Sequence, residues 1–178
     1  MEPVKQLKFD FDKEIIFSVQ TYLMSILNTN DIVYDVDGEV VGEMHSSSYC
    51  KTLRFVSARK DICFSYSWDL SKNSIRSNKS LEDQCPCGLT LIAVPICLLE
   101  NTVIGAQCAA ISDPYRSKFS VFDVASRFNV DAHILWDAVK KTPPVPKPIL
   151  RIAREQVALS SELLSKIFTR IHTLKQKF

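Results

Sequence analysis

Gln84-Cys85-Pro86-Cys87-Gly88-Leu89 runs into Thr90-Leu91-Ile92-Ala93-Val94-Pro95-Ile96-Cys97-Leu98-Leu99 and, after Glu100-Asn101, into Thr102-Val103-Ile104-Gly105-Ala106-Gln107-Cys108-Ala109-Ala110. Two apolar, β-branched runs joined by a two-residue break read as a pair of neighbouring strands. The first is too apolar for a surface strand and is expected in the middle of a sheet. Gly105 marks a place where a side chain would obstruct a neighbour. The Cys85-Pro86-Cys87 triplet stands at the mouth of this pair.

Upstream, Ile15, Ile16, Val19, Leu23, Ile26 and Leu27 follow a 3.6-residue period, which predicts an amphipathic helix from about Asp12 to Leu27. Ile32 to Val36 and Val40-Val41 flank Asp37-Gly38, a hairpin signal. The serines 46 to 48 supply an N-cap for a helix carrying Tyr49, Cys50, Leu53, Arg54 and Phe55. A second helix is expected from Asp61 to Ile75, and Asn73 to Glu82 reads as the start of a polar loop. Downstream, Ser117 to Phe128 and Asp131 to Lys140 read as helices, with Phe119, Phe122, Val124 and Trp136 as packing residues. The spacer Thr142-Pro143-Pro144-Val145-Pro146-Lys147-Pro148 cannot be helical throughout. After Pro148 one long helix is expected. Its heptad places Leu150, Val157, Leu164, Ile171 and Phe178 on one row and Ala153, Ser160, Ile167 and Leu174 on another. A second stripe, Ile152, Leu159 and Leu163, would face the domain itself. The helix ends without a stop signal, so a continuing parent chain is expected.

Composition is that of an ordinary globular domain: 178 residues, 46% hydrophobic and 24% charged. The N-terminus lacks the apolar core of a signal peptide, and no run of 18 apolar residues occurs. A cytoplasmic chain is expected, where six cysteines are ligands, reactive thiols or small buried hydrophobes rather than disulfides. Residues 140–178 hold nine Lys/Arg against two Glu, +7, leaving −5 of the overall +2 elsewhere. Because those charges alternate with apolar residues at helical spacing, they read as a solvated helix face, with no direct nucleic-acid binding.

Cys50, Cys63, Cys85 and Cys87 could meet as four thiolate ligands, which suits tetrahedral zinc or an iron–sulfur cluster. Cys50 lies two residues past a serine cap, where helix amides favour the thiolate. On an extended chain, Cys85 and Cys87 would face the same side. Buried small hydrophobes or a redox pair remain open alternatives. Cys97 and Cys108 sit inside apolar strands and read as core. His45 is a solvated loop residue on this reading, and a fifth candidate ligand at most; His133 and His172 read as surface. Tyr49, Tyr66 and Trp68 are candidate ligand-binding aromatics. Asp35-Val36-Asp37-Gly38 lacks the rest of a calcium loop. No phosphate loop, nucleophile elbow or zinc-protease motif occurs, so no catalytic residue is assigned and no enzyme is expected.

In order and spacing, the "IVYDVDGEVV" hairpin (residues 32–41), the helix bearing Cys50, the second cysteine at Cys63, Cys85-Pro86-Cys87-Gly88-Leu89, "AVPI" (residues 93–96) and the returning "VIGAQCAA" strand (residues 103–110) resemble the PocR-type sensory domain. Where that family carries a histidine after the cysteine, this chain has Pro86, and it gains a thiol at Cys87. The resemblance implies an α/β (α+β) fold: a PAS/GAF-like antiparallel sheet flanked by helices, with a pocket between sheet and helices and a long C-terminal signalling helix. It implies a sensor domain at residues 1–142, a Pro-rich spacer at 143–148 and a signalling and dimerisation helix at 149–178. It also implies a C-terminal output domain (a kinase, a cyclase or a DNA-binding domain) in the parent chain. The heptad row Leu150, Val157, Leu164, Ile171 and Phe178 itself predicts a homodimer, a parallel two-stranded coil through the last helix. A family of sensors tips the cofactor expectation toward an iron–sulfur cluster over zinc. The alternative is a module for a small organic molecule, with structural zinc or no metal.

Overall fold

A computed structural model describes residues 4–27, 29–45, 47–99, 102–111, 118–142 and 145–177. The readings that fall on Glu100-Asn101, Ser117, Pro143-Pro144, Phe178 and the Phe119 side chain lie outside them. In chain order the elements are β1 (Lys5–Gln6), α1 (Lys13–Leu27), β2 (Asn30–Asp35), β3 (Val40–His45), α2 (Ser48–Phe55), α3 (Asp61–Ser77), β4 (Leu81–Gln84), β5 (Thr90–Leu99), β6 (Thr102–Ile111), α4 (Lys118–Phe128), α5 (Ala132–Lys140) and α6 (Lys147–Lys175). The sheet runs β3-β2-β6-β5-β4, antiparallel throughout, with the short β1 added parallel to the start of β6. This is the helix-flanked antiparallel sheet expected from the sequence. No helix among the described residues is long and apolar enough to cross a membrane.

Alternation along the strands sorts the molecule into three layers. Val33, Ile96, Leu98 and Ile104 pack with Ile16, Val19, Leu164 and Phe168, so α1 and α6 cover one face. Tyr34, Leu91, Ala93 and Cys108 pack with the α3 aromatics on the other. There α2, α4 and α5 close a further cluster around Tyr49, Leu53, Phe128 and Leu135. A Cβ on Gly105 would strike the carbonyl oxygen of Tyr34 on the neighbouring strand, which accounts for the glycine.

Two sequence readings change. The region read as a loop holds the end of α3 and a strand. Asn78, in the left-handed conformation (φ 50°), ends the helix. Leu81–Gln84 then pairs with β5 as an edge, and its exposed polar sequence gave it no alternation to detect. The second change concerns α6. Val157 and Leu164 of the heptad row are fully buried against the chain's own sheet, and Leu150 and Ile171 pack beside them. Ile152, Leu159 and Leu163, expected to face the domain, are 41%, 54% and 48% exposed. A single helix docked on a sheet buries a stripe with the same spacing as a coiled-coil seam, so periodicity could not tell which stripe faced which partner.

The polar residue in the heptad has a structural reason. Ser160 and Ser161 donate to Gln107 Oε1 at 2.8 and 2.9 Å. Gln107 Nε2 donates to both oxygens of the fully buried Asp31, at 3.1 and 3.0 Å. Gln20 Nε2 donates to the Asp31 carbonyl. One network thus joins α1, β2, β6 and α6.

Candidate functional site

Between the sheet and helices α2 and α3 lies a cavity of about 60 Å³. Its thiol wall is Cys50 of α2, Cys63 of α3, Cys85 and Cys87 of the β4–β5 turn, and Cys108 of β6. Local structure explains how they meet. Ser47, whose side chain accepts from the Cys50 amide at 3.1 Å, caps α2 and places Cys50 in its first turn. The cap is Ser47, so Cys50 stands three residues past it rather than two. Cys85 and Cys87 are not on an extended chain. They sit in a tight turn closed by Gly88 N to Cys85 O and Cys85 N to Leu89 O, both 2.8 Å, with Gly88 at φ +77°. Pro86 and Gly88 suit such a turn, which carries both thiols to one cavity.

Cys63 Sγ and Cys87 Sγ are 3.6 Å apart. The neighbouring Cys63 and Cys85 thiols, with burial, push the Cys87 thiol well above its ordinary pKa. Burial, with the Asp31 charge behind it, pushes Cys108 up to about 12. Cys108 is core, as expected, and a cavity wall as well. Cys97 lies away from the cavity, with its Sγ 3.2 Å from Asn78 Oδ1. Among the described residues, no group of three or more His, Cys, Asp or Glu is arranged as a metal-binding set.

The polar end of the cavity is formed by Asn30, His45, Arg54 and Ser67. His45 was expected to be a solvated loop residue; it ends β3, and its side chain is 9% exposed. Its Nε2 lies 2.5 Å from Glu43 Oε1, and Arg54 Nη2 pairs with the same oxygen. The Arg54 guanidinium also lies on the Phe64 ring. Burial pushes the Glu43 carboxyl up, but the His45 hydrogen bond and the Arg54 charge outweigh it and hold its pKa low. Burial lowers the pKa of Arg54, and Glu43 opposes that shift. Arg54 and Glu43 were missed as site residues, and His45 was weighed only as a fifth metal ligand. The available signal was Arg54 one turn beyond Cys50, on the face that also carries Leu53.

The candidate aromatics lie elsewhere. Tyr49 is buried behind the turn, donating from its hydroxyl to the Cys87 carbonyl at 3.0 Å. It lines a separate polar cleft of about 390 Å³ with Pro86, Asp123 and Arg127. Tyr66 is half-buried and donates to Asp83 at 2.7 Å. Trp68 packs on Tyr34 beside the hairpin turn. None of the three lines the thiol cavity, and of them Tyr49 lines the polar cleft.

A family model described as the sensory domain found in PocR matches residues 11–172. The chain belongs to the PocR sensory-domain family. Its cysteine positions thus sit in a PocR domain that has proline and a further cysteine in its turn. No curated protein matches this PocR domain. Among solved structures it is similar to the GAF domain/HD domain protein from Geobacter sulfurreducens, with 16% identity and a TM-score of 0.40 over 86% of this chain and 92% of that one.

Proposed function

We propose that this PocR domain is the cytoplasmic input module of a signalling or transcription-regulatory protein. It is a binding domain rather than an enzyme. A small ligand enters the thiol-lined cavity, and α6 carries its arrival to an output domain. One observation carries this reading. Asn30, Ile32, Cys108 and Ala110 line the cavity, while Asp31 and Gln107, from the same stretches of β2 and β6, belong to the network that holds α6. Successive side chains of a strand face opposite ways, so a shift of either strand at the cavity also moves the anchor of α6. A second link is the bidentate pair from Arg154 of α6 to Glu82 of β4, at 2.6 and 2.7 Å. β4 leads directly into the cysteine turn. The experiment is amide exchange across residues 150–170, with and without a ligand found by thermal-shift screening. Protection there should change on binding, and an unchanged α6 would refute the route.

The four thiols favour a second reading, a zinc ion or an iron–sulfur cluster on Cys50, Cys63, Cys85 and Cys87. Their sulfurs come from three elements around one cavity, and the 3.6 Å Cys63–Cys87 separation is near the roughly 3.8 Å edge of a tetrahedron with 2.3 Å zinc–sulfur bonds. The remaining thiols would have to draw in, and the protons on the thiols would leave as the metal arrives. Elemental analysis and the visible spectrum of anaerobically purified protein test it. Broad absorbance supports a cluster, bound zinc supports zinc, and a colourless, metal-free protein with ligand response supports the first reading.

The proposal includes a homodimer, through the face of α6 opposite to the heptad row. Ile149, Ile152, Leu159 and Leu163 are exposed there at spacings of three, seven and four. Along its flank, Arg151–Glu155 and Glu162–Lys166 neutralise one another within the helix. An apolar stripe with internally balanced flanks suits an identical copy rather than an oppositely charged partner. Leu159→Glu should turn a dimer into a folded monomer in sedimentation experiments. A wild type that is monomeric at tens of micromolar refutes the dimer.

A further inference from the structure

Two buried polar atoms at the cavity end have no hydrogen-bond partner: Nη1 of Arg54 and Nδ1 of His45. Both side chains are more than nine-tenths buried, and both residues line the cavity. The polar groups of their neighbours are engaged. Asn30 exchanges hydrogen bonds with Ser47, and Ser67 Oγ bonds the Tyr34 hydroxyl and the Phe64 carbonyl. A buried guanidinium N–H without an acceptor costs free energy that a bound acceptor returns.

The two atoms have opposite characters. Nη1 of Arg54 can only donate. Glu43, held ionised, can only accept, so Nε2 of His45 donates to it, and on the neutral ring Nδ1 then keeps a lone pair. Arg54 is already neutralised by Glu43, so a bare anion would bring an unbalanced charge into a mostly apolar space. The complementary group is therefore neutral, with one acceptor oxygen and one O–H on separate atoms. A carboxylic acid has that arrangement: its C=O accepts from Nη1–H while its O–H donates to Nδ1. A cavity of 60 Å³ holds about four to six water-sized atoms. The rest of the wall is apolar, with Leu53, Leu89, Leu91 and Ala110 beside the thiols.

We propose that the cavity takes a short-chain aliphatic carboxylic acid, its carboxyl group between Arg54 and His45 and its two- to three-carbon chain against the leucines and thiols. This rests on the reading of the cavity as the input site and names the class of ligand. Binding draws the neutral acid from solution, equivalent to a carboxylate and one proton. No bond is made or broken. Among the described residues, the other ionisable groups around the site are Glu43 on the His45 strand, the Tyr34 hydroxyl of β2 bonded to Ser67, and the thiols of Cys50, Cys63, Cys85, Cys87 and Cys108 from α2, α3, the turn and β6.

The test is calorimetry and thermal shift on the whole domain with propionate, with methyl acetate, an isomer of propionic acid that lacks the O–H, and with n-propanol, which has a single oxygen. Propionate should bind, with apparent affinity falling about tenfold per pH unit between pH 6 and 8, because the neutral acid becomes scarcer by that factor. Methyl acetate and n-propanol should bind at least tenfold more weakly. Arg54→Met should abolish propionate binding. Because Arg54 also pairs with Glu43, His45→Phe is the second variant; it removes Nδ1 and should have the same effect in a domain that still unfolds cooperatively. Equal binding of the ester or the alcohol, or propionate binding that ignores pH, overturns the acid and leaves the cavity as an input site. If none of the three binds, the acid also falls. A wider small-molecule screen whose hits are lost in the cavity-filling Ala110→Leu keeps the input site, and a screen without hits removes both.

Discussion

The two faces of the sheet treat buried polarity in opposite ways. On the α1–α6 face, Asp31, Gln107, Ser160, Ser161 and Gln20 form one network in which Gln107 uses both ends of its amide. On the cavity face, Arg54 and His45 each keep an unpartnered nitrogen. A saturated network fixes how α6 sits on the sheet, since any sliding leaves buried groups unpaired. An unsaturated one is open to a ligand that completes it. The strands between them carry both kinds of residue in alternation, so the rigid face can report what the open face receives.

The largest effect is expected on titrating the saturated side. Burial pushes Asp31 up to about 7 despite the Gln107 and Gln20 hydrogen bonds. A carboxyl whose pKa is higher folded than unfolded binds more protons in the folded state. Its contribution is fully present below about pH 4 and is lost as pH rises towards 7. The span of about three units corresponds to a loss on the order of 4 kcal/mol. Asp31→Asn should remove that decline. Urea unfolding of both proteins from pH 4 to 8 checks it, and parallel pH curves for the two would refute it.

The two sides of α6 should separate next. Leu164 is fully buried against Phe168, Ile96 and Ile104, so Leu164→Ala should cost about 3 kcal/mol through lost burial and the cavity left behind. Leu159→Ala on the exposed stripe should lie within about 0.5 kcal/mol in a dilute monomer. Similar losses at both positions would mean that the heptad row is not the one docked on the sheet.

Most of the fold could be read from residue order because each helix and inner strand carries its own period. The α1 stripe, the Asp37-Gly38 turn and the apolar β5 and β6 runs needed no tertiary information. β4 escaped because an edge strand with Glu82, Asp83 and Gln84 exposed has no apolar face to alternate. The thiols were legible as a group because their residue type is rare and chemically distinct. Their geometry was not, since turn and strand place Cys85 and Cys87 differently at the same spacing. The Arg54–Glu43–His45 cluster was hidden for another reason. Charged residues are ordinarily solvated, and only the packing of α2 and α3 at the end of β3 buries Arg54 and the His45 side chain.

A smaller effect tests the capped entry to the cavity. Ser47 accepts from the Cys50 amide and donates its own backbone amide to Asn30 Oδ1. Ser47→Ala should destabilise the domain by about 1 kcal/mol, and alkylation of Cys50 should quicken as the first turn of α2 frays. Thermal unfolding and mass-resolved alkylation read the two effects, and an unchanged alkylation rate would detach the cap from the site.

The smallest stability change is expected where the two faces are tied at the surface. Arg154 of α6 and Glu82 of β4 form a two-bond pair, but both side chains are more than 40% exposed. The Arg154 hydrogen bond lowers the Glu82 pKa, a shift that solvent largely screens from stability. Arg154→Gln should therefore cost less than about 1 kcal/mol. Its effect on communication should be larger in proportion, because it removes the one described ion pair between α6 and the strand that leads to the cysteine turn. A ligand that changes amide exchange across residues 150–170 in the wild type should change it less in the variant at equal occupancy. An undiminished change would assign the whole of the coupling to the buried Asp31–Gln107–Ser160 route. Such a result would also mean that the saturated network transmits the signal as well as fixing α6.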